Sequence, residues 1–123
     1  MRSRGYTLIE IMVVVAIVGI VSAIAYPQYQ GYLSDTWRAQ AVADLKACSM
    51  ALERYYSKGF TYTGADTNTI CNTNSPTRGE VRYTISYELL TATTFTVRAS
   101  PLGEACGVGN CFEIDQSGNQ TLN

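Results

Sequence analysis

The residues of this sequence that could do chemistry are four cysteines and one isolated carboxylate. Cys48, Cys71, Cys106 and Cys111 are separated by 23, 35 and 5 positions, and the chain contains no histidine. Zinc sites use closely spaced cysteine pairs or histidine, so these spacings favour disulfides over a metal. Without histidine, no nucleophile–base pair can be assembled either. We therefore expect no catalytic, cofactor or metal site.

Four cysteines allow three disulfide pairings. We favour Cys48 with Cys71, which ties a loop to a helix, and Cys106 with Cys111, which closes a tight glycine-containing loop. The alternative pairs Cys48 with Cys106 and Cys71 with Cys111, and the sequence alone leaves it open. Disulfides require an oxidising compartment, so this part of the chain is expected to be exported.

The isolated carboxylate, Glu10, is the single charge among residues 6–26, which are otherwise mostly apolar. A membrane-spanning helix needs about 20 such residues. Arg2 and Arg4 precede the segment, so the positive-inside rule keeps the N-terminus in the cytoplasm and exports the remainder. A charge inside a membrane segment costs on the order of 3 kcal/mol and marks a functional candidate. An amino group of a neighbouring molecule would neutralise Glu10.

An ordinary secretory signal peptide is the simpler explanation of the same segment. Residues 23–25 read Ala-Ile-Ala, which fits the small-x-small cleavage pattern, and the mature chain would then begin at Tyr26. The charge of Glu10 within the apolar region counts against this explanation. So does the abrupt five-residue leader that ends in Gly5.

Length and composition limit the remaining possibilities. The chain has 123 residues, 46% of them apolar and 15% charged, which predicts one folded domain. Loss of Arg2 and Arg4 would leave seven basic against ten acidic residues, a net charge of −3. Nucleic-acid-binding proteins usually have a basic excess, so the charge argues against a nucleic-acid partner. A local basic patch is the weaker alternative, with the candidates Arg54, Lys58, Arg78, Arg82 and Arg98.

The elements that position these residues follow from hydrophobic periodicity. Apolar residues at steps of three and four predict a helix from Tyr6 to about Lys58, with Gly59 as its stop signal. The apolar positions in its second half are Ala41, Leu45, Cys48, Leu52, Tyr55 and Tyr56. Pro27 has no backbone N–H, so we expect the helix to kink or loosen between Gly19 and Pro27.

The C-terminal part alternates apolar and polar residues in short runs. Residues 81–88, 95–99 and 112–115 show the period of two of half-buried strands, and residues 120–122 return as an edge strand. Residues 59–80 have no clear period and predict a loop. The expected fold is α+β, with a small antiparallel meander packed on the apolar stripe of the helix. We expect five tyrosines in the core with their hydroxyls at its rim: Tyr55, Tyr56, Tyr62, Tyr83 and Tyr87.

Residues 5–10, Gly-Tyr-Thr-Leu-Ile-Glu, and the apolar run after them resemble the class III signal of type IV pilins. The resemblance continues through Tyr-Pro-Gln-Tyr-Gln at residues 26–30, and Tyr6 stands where the family usually has phenylalanine. It implies cleavage by a prepilin peptidase after Gly5, N-methylation of Tyr6 and a role of Glu10 in subunit registration.

The same resemblance implies the domains and the location. Residues 1–5 are a leader, residues 6–26 a transmembrane and filament-core helix that loosens between Gly19 and Pro27, and residues 27–123 an exported globular domain. The chain would be stored in the bacterial inner membrane with its N-terminus in the cytoplasm. Inner-membrane assembly machinery would then move it into an extracellular helical filament, where its partners are other pilin subunits.

Two further segments resemble the small minor pilins of that family: Arg-Tyr-Tyr at residues 54–56, and residues 112–118. We therefore expect a minor pilin that serves pilus biogenesis, twitching motility, adhesion or DNA uptake, among which the sequence does not choose. Three alternatives stay open. A type II secretion pseudopilin shares the N-terminal signal, and a secreted binding protein would carry an ordinary signal peptide. A membrane-anchored enzyme is the weakest of the three, because the chain has no histidine for a nucleophile–base pair.

Overall fold

The computed structural model describes residues 5–123 (for Thr67, the backbone only) as a long helix, a short helix and a five-stranded sheet. The elements are α1 (Leu8–Gly59), α2 (Thr67–Ile70), β1 (Asn74–Ser75), β2 (Tyr83–Leu90), β3 (Phe95–Pro101), β4 (Phe112–Asp115) and β5 (Gln120–Leu122). This order confirms the predicted α+β arrangement. Residues 1–4, including Arg2 and Arg4, lie outside the described residues.

The 52 residues of α1 contribute to two separately compact parts of the chain. The first part ends at Asp35, and the second comprises Thr36–Asn123. Pro27 lies inside α1, where its ring nitrogen cannot donate the usual backbone hydrogen bond to the Ala23 carbonyl. The helix therefore continues past Pro27 with one internal hydrogen bond fewer.

The end of α1 lies close to the predicted stop. Gly59 is the last helical residue, and Phe60 takes the left-handed conformation that terminates the helix, with a φ of 53°. The Phe60 N–H donates to the Tyr56 carbonyl at 2.7 Å, which closes the last turn. A left-handed phenylalanine is unusual, because its side chain crowds the backbone in that conformation.

The unit Thr36–Asn123 has its own hydrophobic core between the second part of α1 and one face of the sheet. The helix supplies the predicted residues Ala41, Leu45, Cys48 and Leu52. The sheet supplies Tyr83, Ile85, Phe95, Val97, Ala99 and Ile114. Neighbouring strands are antiparallel in the order β1-β2-β3-β4-β5, so the sheet is the predicted meander. Its alternating pattern leaves the other face to solvent.

The prediction of a loop over residues 59–80 was wrong in two places, because α2 and β1 lie within it. Asp66 precedes α2 and accepts a hydrogen bond from the Asn68 N–H at 3.2 Å. In β1, Ser75 is paired with Tyr83 of β2. Elements of four and two residues are too short to show a period, so hydrophobic patterning cannot reveal them.

The first predicted strand was also misplaced. It begins at Tyr83 instead of residue 81 and continues to Leu90. A register shift between Tyr87 and Leu89 marks a β-bulge, which breaks the alternation that the prediction relied on.

Candidate assembly segment and solvent-facing sheet surface

The first turn of α1 is closed by two reciprocal hydrogen bonds between Thr7 and Glu10. The Thr7 backbone N–H donates to Glu10 Oε2 at 3.4 Å, and the Glu10 backbone N–H donates to Thr7 Oγ1 at 3.3 Å. This arrangement is a capping box, which satisfies donors that a helix start otherwise leaves free. Glu10 is conspicuous in the sequence only as an isolated charge, and the prediction missed Thr7, although the Thr-x-x-Glu spacing is the signal of such a cap.

Gly5 and Tyr6, the residues at the expected leader boundary, precede this cap. The Tyr6 side chain has 81% of its surface accessible. Among the described residues, no atom lies within 4 Å of the position that a Cβ on Gly5 would take. Tyr6 is therefore exposed, and the described residues leave space for a side chain at position 5. Cleavage of the bond between Gly5 and Tyr6 would create an α-amino group on Tyr6, directly before the cap that holds Glu10.

The first part of α1 exposes its large apolar side chains. Those within residues 8–24 have between 50% and 77% of their surface accessible. An 18-residue stretch of α1 has a mean hydropathy of 2.8, enough by length and composition for one membrane crossing. Gly19 lies on this exposed segment and Pro27 follows it. Apolar surface of this extent is unfavourable in water, so the segment needs lipid or other apolar helices around it.

The structure joins Cys48 to Cys71 and Cys106 to Cys111, the two pairs that the sequence favoured. The Cα atoms are 4.8 Å apart in the first pair and 5.5 Å apart in the second. Cys48 is buried on α1, so its disulfide holds the segment after α2 against the helix. The second disulfide closes a short loop directly before β4, and Asn110 Oδ1 accepts a hydrogen bond from a backbone N–H inside that loop at 2.7 Å.

The solvent-facing side of the sheet carries an ion-pair cluster centred on Arg98. Arg98 Nη2 lies 2.6 Å from Glu113 Oε1, and Arg98 Nη1 lies 2.7 Å from Glu88 Oε2. Arg98 on β3 and Glu113 on β4 are direct cross-strand partners. The Glu113 side chain is 13% exposed and that of Glu88 is 48% exposed, so solvent screens the Glu88 pair more strongly.

This cluster changes the acidity of Glu113. Burial alone would raise the pKa of Glu113, but the hydrogen bond and positive charge of Arg98 stabilise the carboxylate more strongly. Hydrogen bonds from Asn123 and Thr121 act in the same direction. The pKa of Glu113 therefore lies below its ordinary value, and the group stays ionised through neutral and mildly acidic pH.

A second arginine, Arg82, is held against an aromatic ring. Its Cζ atom lies 4.1 Å from the centroid of the Trp37 ring, and its Nη2 lies 2.6 Å from Glu80 Oε2. Two of the five candidates for a basic patch thus contact carboxylates. The other three are exposed, and residues 5–123 provide no carboxylate in ion-pair contact with them: Arg54, Lys58 and Arg78.

The described residues thus comprise a small disulfide-bonded domain, Thr36–Asn123, and a helical segment before it that exposes large apolar side chains. Two family models match the chain. The prokaryotic N-terminal methylation motif matches residues 1–26. The model described as type IV minor pilin ComP, DNA uptake sequence receptor, matches residues 27–114, more than half of the chain. The chain therefore belongs to this type IV minor pilin family.

Individual relatives are similar over part of their length. A fimbrial protein of Pseudomonas aeruginosa is 48% identical over 56 residues, which are 46% of this chain and 36% of that protein. A fimbrial protein of Neisseria meningitidis serogroup B is 35% identical over 77 residues, which are 63% of this chain and 45% of that protein. The chain thus matches less than half the length of these two relatives.

A solved structure shows the same fold. The non-core minor pilin PilV of Neisseria meningitidis superimposes with a TM-score of 0.60, covering 75% of this chain and 88% of that chain. The sequences are 16% identical, so the likeness concerns the fold alone.

Proposed function

We propose that the chain is a minor subunit of a type IV pilus, stored in the inner membrane and then assembled with its apolar helix in the filament core. The observation that carries this proposal is the exposed apolar surface of residues 8–24, in a chain whose unit Thr36–Asn123 has its own core. The inner membrane and the filament core both keep that apolar surface out of water. Head-to-tail contacts that do not close generate a helical fibre. The role is structural, and no residue is assigned a catalytic step.

Maturation at Gly5 and Tyr6 is part of this proposal. A prepilin peptidase removes residues 1–5 as a leader, and the new amino group of Tyr6 is methylated. The match of the N-terminal methylation motif to residues 1–26 supports this step, as do the open surroundings of Gly5. Residues 6–26 then form the membrane and filament-core helix, and residues 27–123 form the exported domain.

Glu10 is assigned the role of fixing the register between subunits. The capping box uses Glu10 Oε2, so the other carboxylate oxygen can meet the Tyr6 amino group of a neighbouring subunit. In an apolar filament core, leaving one partner of such a pair alone is costly, so only the correct register is stable. Gly19 and Pro27 weaken the helix between them, which eases its loosening as it leaves the membrane.

Analysis of the N-terminus of the chain from sheared surface filaments tests this function. We expect the chain in the filament fraction, with N-methylated Tyr6 as its first residue. A chain that begins at Tyr26 would instead identify a secreted protein with an ordinary signal peptide. Processed chain that is absent from filaments, together with loss of protein secretion when the gene is deleted, would identify a secretion pseudopilin.

A second candidate function is DNA binding by the unit Thr36–Asn123, which contains the second part of α1 and the sheet, in the assembled subunit. The family description, a DNA uptake sequence receptor, favours it. The net charge of −3 expected after leader removal weighs against it, but local charge decides contacts with phosphates. Arg54 and Lys58 are exposed and four positions apart on α1, so they lie on one face of the helix. With Arg78 they are the cations that we assign to phosphate contacts.

Titration of processed protein with duplex DNA at several salt concentrations tests this second function. Replacing Arg54 and Lys58 by Gln should weaken binding and reduce the slope of log K against log salt by about 0.9 per lost phosphate contact. Arg82→Gln is the control, because Arg82 is already engaged with Trp37 and Glu80. Absence of binding by the unsubstituted protein at low salt would leave the chain with a purely structural role.

A further inference from the structure

Three tyrosines occupy the turns of α1 that directly follow the apolar run. Tyr26, Tyr29 and Tyr32 have 66%, 59% and 72% of their surface accessible. The proposed roles of Gly5, Glu10 and Pro27 do not use these side chains. Phenolic rings are amphipathic, with an apolar body and a polar tip, and exposed rings of this kind are enriched where a membrane meets water.

The spacing of charges places these rings at a defined height. Residues 11–34 carry no charge, and Glu10 and Asp35 bound this stretch. At 1.5 Å per residue it is about 36 Å long, more than the hydrocarbon core of a bilayer, about 30 Å, and less than the full thickness of about 40–45 Å. Measured from Glu10, Tyr26 lies about 24 Å and Tyr32 about 33 Å along the helix axis, on either side of the edge of that hydrocarbon core. Residues 26–32 therefore fall where hydrocarbon gives way to lipid headgroups.

The local geometry fits that boundary. Steps of three residues spread the three rings over an arc of about 120° and a height of about 9 Å along the helix axis. Ser22, Ala25, Tyr26 and Tyr29 line a shallow, mainly apolar groove that is open to the surroundings. At its upper end the Gln30 side-chain amide donates to the Tyr26 hydroxyl at 3.2 Å, so the polar tip of that ring already has a polar neighbour.

We propose that Tyr26, Tyr29 and Tyr32 form an interfacial belt that binds the headgroup region of the bilayer and fixes the depth of α1 before assembly. The belt rests on the proposed storage of the chain in a membrane. Its partner is the phospholipid interface, in which the rings lie beside the ester groups and the hydroxyls reach water. Depth matters because Glu10, at the other end of the span, must meet the Tyr6 amino group of a neighbouring subunit at a matching level.

Depth-dependent quenching tests the belt. A fluorescent amino acid at position 24 of the full chain is compared in phosphatidylethanolamine–phosphatidylglycerol vesicles that contain lipids brominated near the headgroup or near the chain end. Changing all three tyrosines to Leu extends the apolar run, so residue 24 should move about 3–5 Å toward the bilayer centre. Changing all three to Trp, which also prefers the interface, should leave the depth unchanged.

The outcomes separate the belt from the proposed function. Fluorescence of the unsubstituted chain that no brominated lipid quenches would overturn both, because the segment would not lie in the bilayer. Quenching with the same depth in the Leu variant would overturn the belt alone. If that variant also enters filaments poorly, the rings are contacts between subunits instead. Peptide mapping of the Cys48–Cys71 bond shows that each variant has folded its sheet domain.

Discussion

The Glu10 carboxylate is bound within its own chain, 3.4 Å from the backbone nitrogen of Thr7. That nitrogen belongs to the group of donors that every helix start leaves unpaired, so the bond displaces no other helical hydrogen bond. Both bonds of the capping box come from neutral groups, and the negative charge of Glu10 is therefore not balanced by them. Glu10 thus has two separable properties, a cap for its own helix and a charge for a neighbour.

Substitutions can separate these two properties of Glu10. Glu10→Gln keeps the capping box but removes the charge, Thr7→Ala removes the box at a cost of about 1 kcal/mol, and Glu10→Ala removes both. We expect incorporation into sheared filaments to fall roughly tenfold or more in both Glu10 variants, because the neighbouring amino group is left buried and unpaired. Thr7→Ala should lose far less.

Immunoblots of the membrane and filament fractions measure how much of each variant is incorporated into filaments. All variants should reach the membrane as well as the unsubstituted chain does, since a charge within an apolar span only hinders insertion. Normal incorporation of Glu10→Gln would show that the charge has no part in assembly.

Leader removal depends on the absence of a side chain at position 5. Gly5→Val should leave residues 1–5 attached, because a peptidase that cuts directly after glycine has no room for a branched side chain. Gly19→Val is the matched control, since added side chains at both positions meet open space among the described residues. Mass spectrometry of the membrane fraction distinguishes precursor from processed chain. Normal shortening of Gly5→Val would contradict the assigned cleavage site.

Long periodic elements of this fold were predictable from sequence, and short or irregular ones were not. The stripe through Ala41, Leu45, Cys48 and Leu52 extends over about three turns, and it identified the buried face of α1 correctly. In β3 and β4, apolar and polar residues alternate without interruption, and this pattern located both strands in the sequence. In contrast, β1 consists of two residues whose pairing is fixed by contacts with β2. No local sequence pattern could therefore predict this strand.

The candidate site shows the same division. Glu10 stood out because a charge in an apolar run is conspicuous, whereas Thr7 required attention to a four-residue capping pattern. The cluster of Arg98 with Glu88 and Glu113 depends on the register between three strands. Sequence alone does not fix that register, and the three residues therefore appeared only as separate surface charges.

The two disulfides should differ in their contribution to stability. The Cys48–Cys71 bond closes a loop of 23 positions, which corresponds to about 3 kcal/mol of loop entropy, and the Cys106–Cys111 bond closes 5 positions, about 2 kcal/mol. Replacing Cys48 and Cys71 by Ala should therefore lower the Tm more than replacing Cys106 and Cys111. Thermal unfolding followed by circular dichroism measures both. A larger loss for the second pair would show that its loop supports the sheet beyond the entropy of closure.

Glu113 and Glu88 both contact Arg98 but differ in exposure, so their Gln variants can be compared directly for loss of stability. Glu113→Gln should destabilise the sheet domain by about 1–2 kcal/mol, because its hydrogen bonds with a charged partner are largely shielded from water. Glu88→Gln should cost about 0–1 kcal/mol, as exposed pairs do.

The sign of the pH dependence follows from the lowered pKa of Glu113. The stabilisation is full above the value of an unfolded glutamate, about 4.3, and is lost as the pH falls through the lower pKa of the folded state. Urea unfolding between neutral and acidic pH should show a shallower decline in Glu113→Gln than in the unsubstituted chain. Equal declines in the two proteins would contradict this assignment.

Tyr62 and Tyr87 differ in what their hydroxyls contact, and their Phe variants should differ accordingly. The Tyr62 hydroxyl donates to Glu53 Oε1 at 2.8 Å, whereas the buried Tyr87 hydroxyl has no hydrogen-bond partner within residues 5–123. Tyr62→Phe should destabilise the domain by about 1.5 kcal/mol, because a bond with a charged acceptor is lost. Tyr87→Phe should be neutral or stabilising by up to about 1 kcal/mol, because an unsatisfied polar group is removed from the interior.

Alkaline pH gives a second measure of the same pair. Burial raises the pKa of each hydroxyl to about 12, and at Tyr62 the hydrogen bond and the negative charge of Glu53 add to the effect. Since an unfolded tyrosine ionises near about 10, neither hydroxyl makes stability depend on pH below that value, and the free energy of unfolding declines as the pH rises toward 12. Either Phe variant should therefore lose less stability over this interval than the unsubstituted chain. Urea unfolding at several alkaline pH values, with Tyr55→Phe as the control, measures the difference. Destabilisation by Tyr87→Phe at neutral pH would show that a buried water or another group satisfies its hydroxyl.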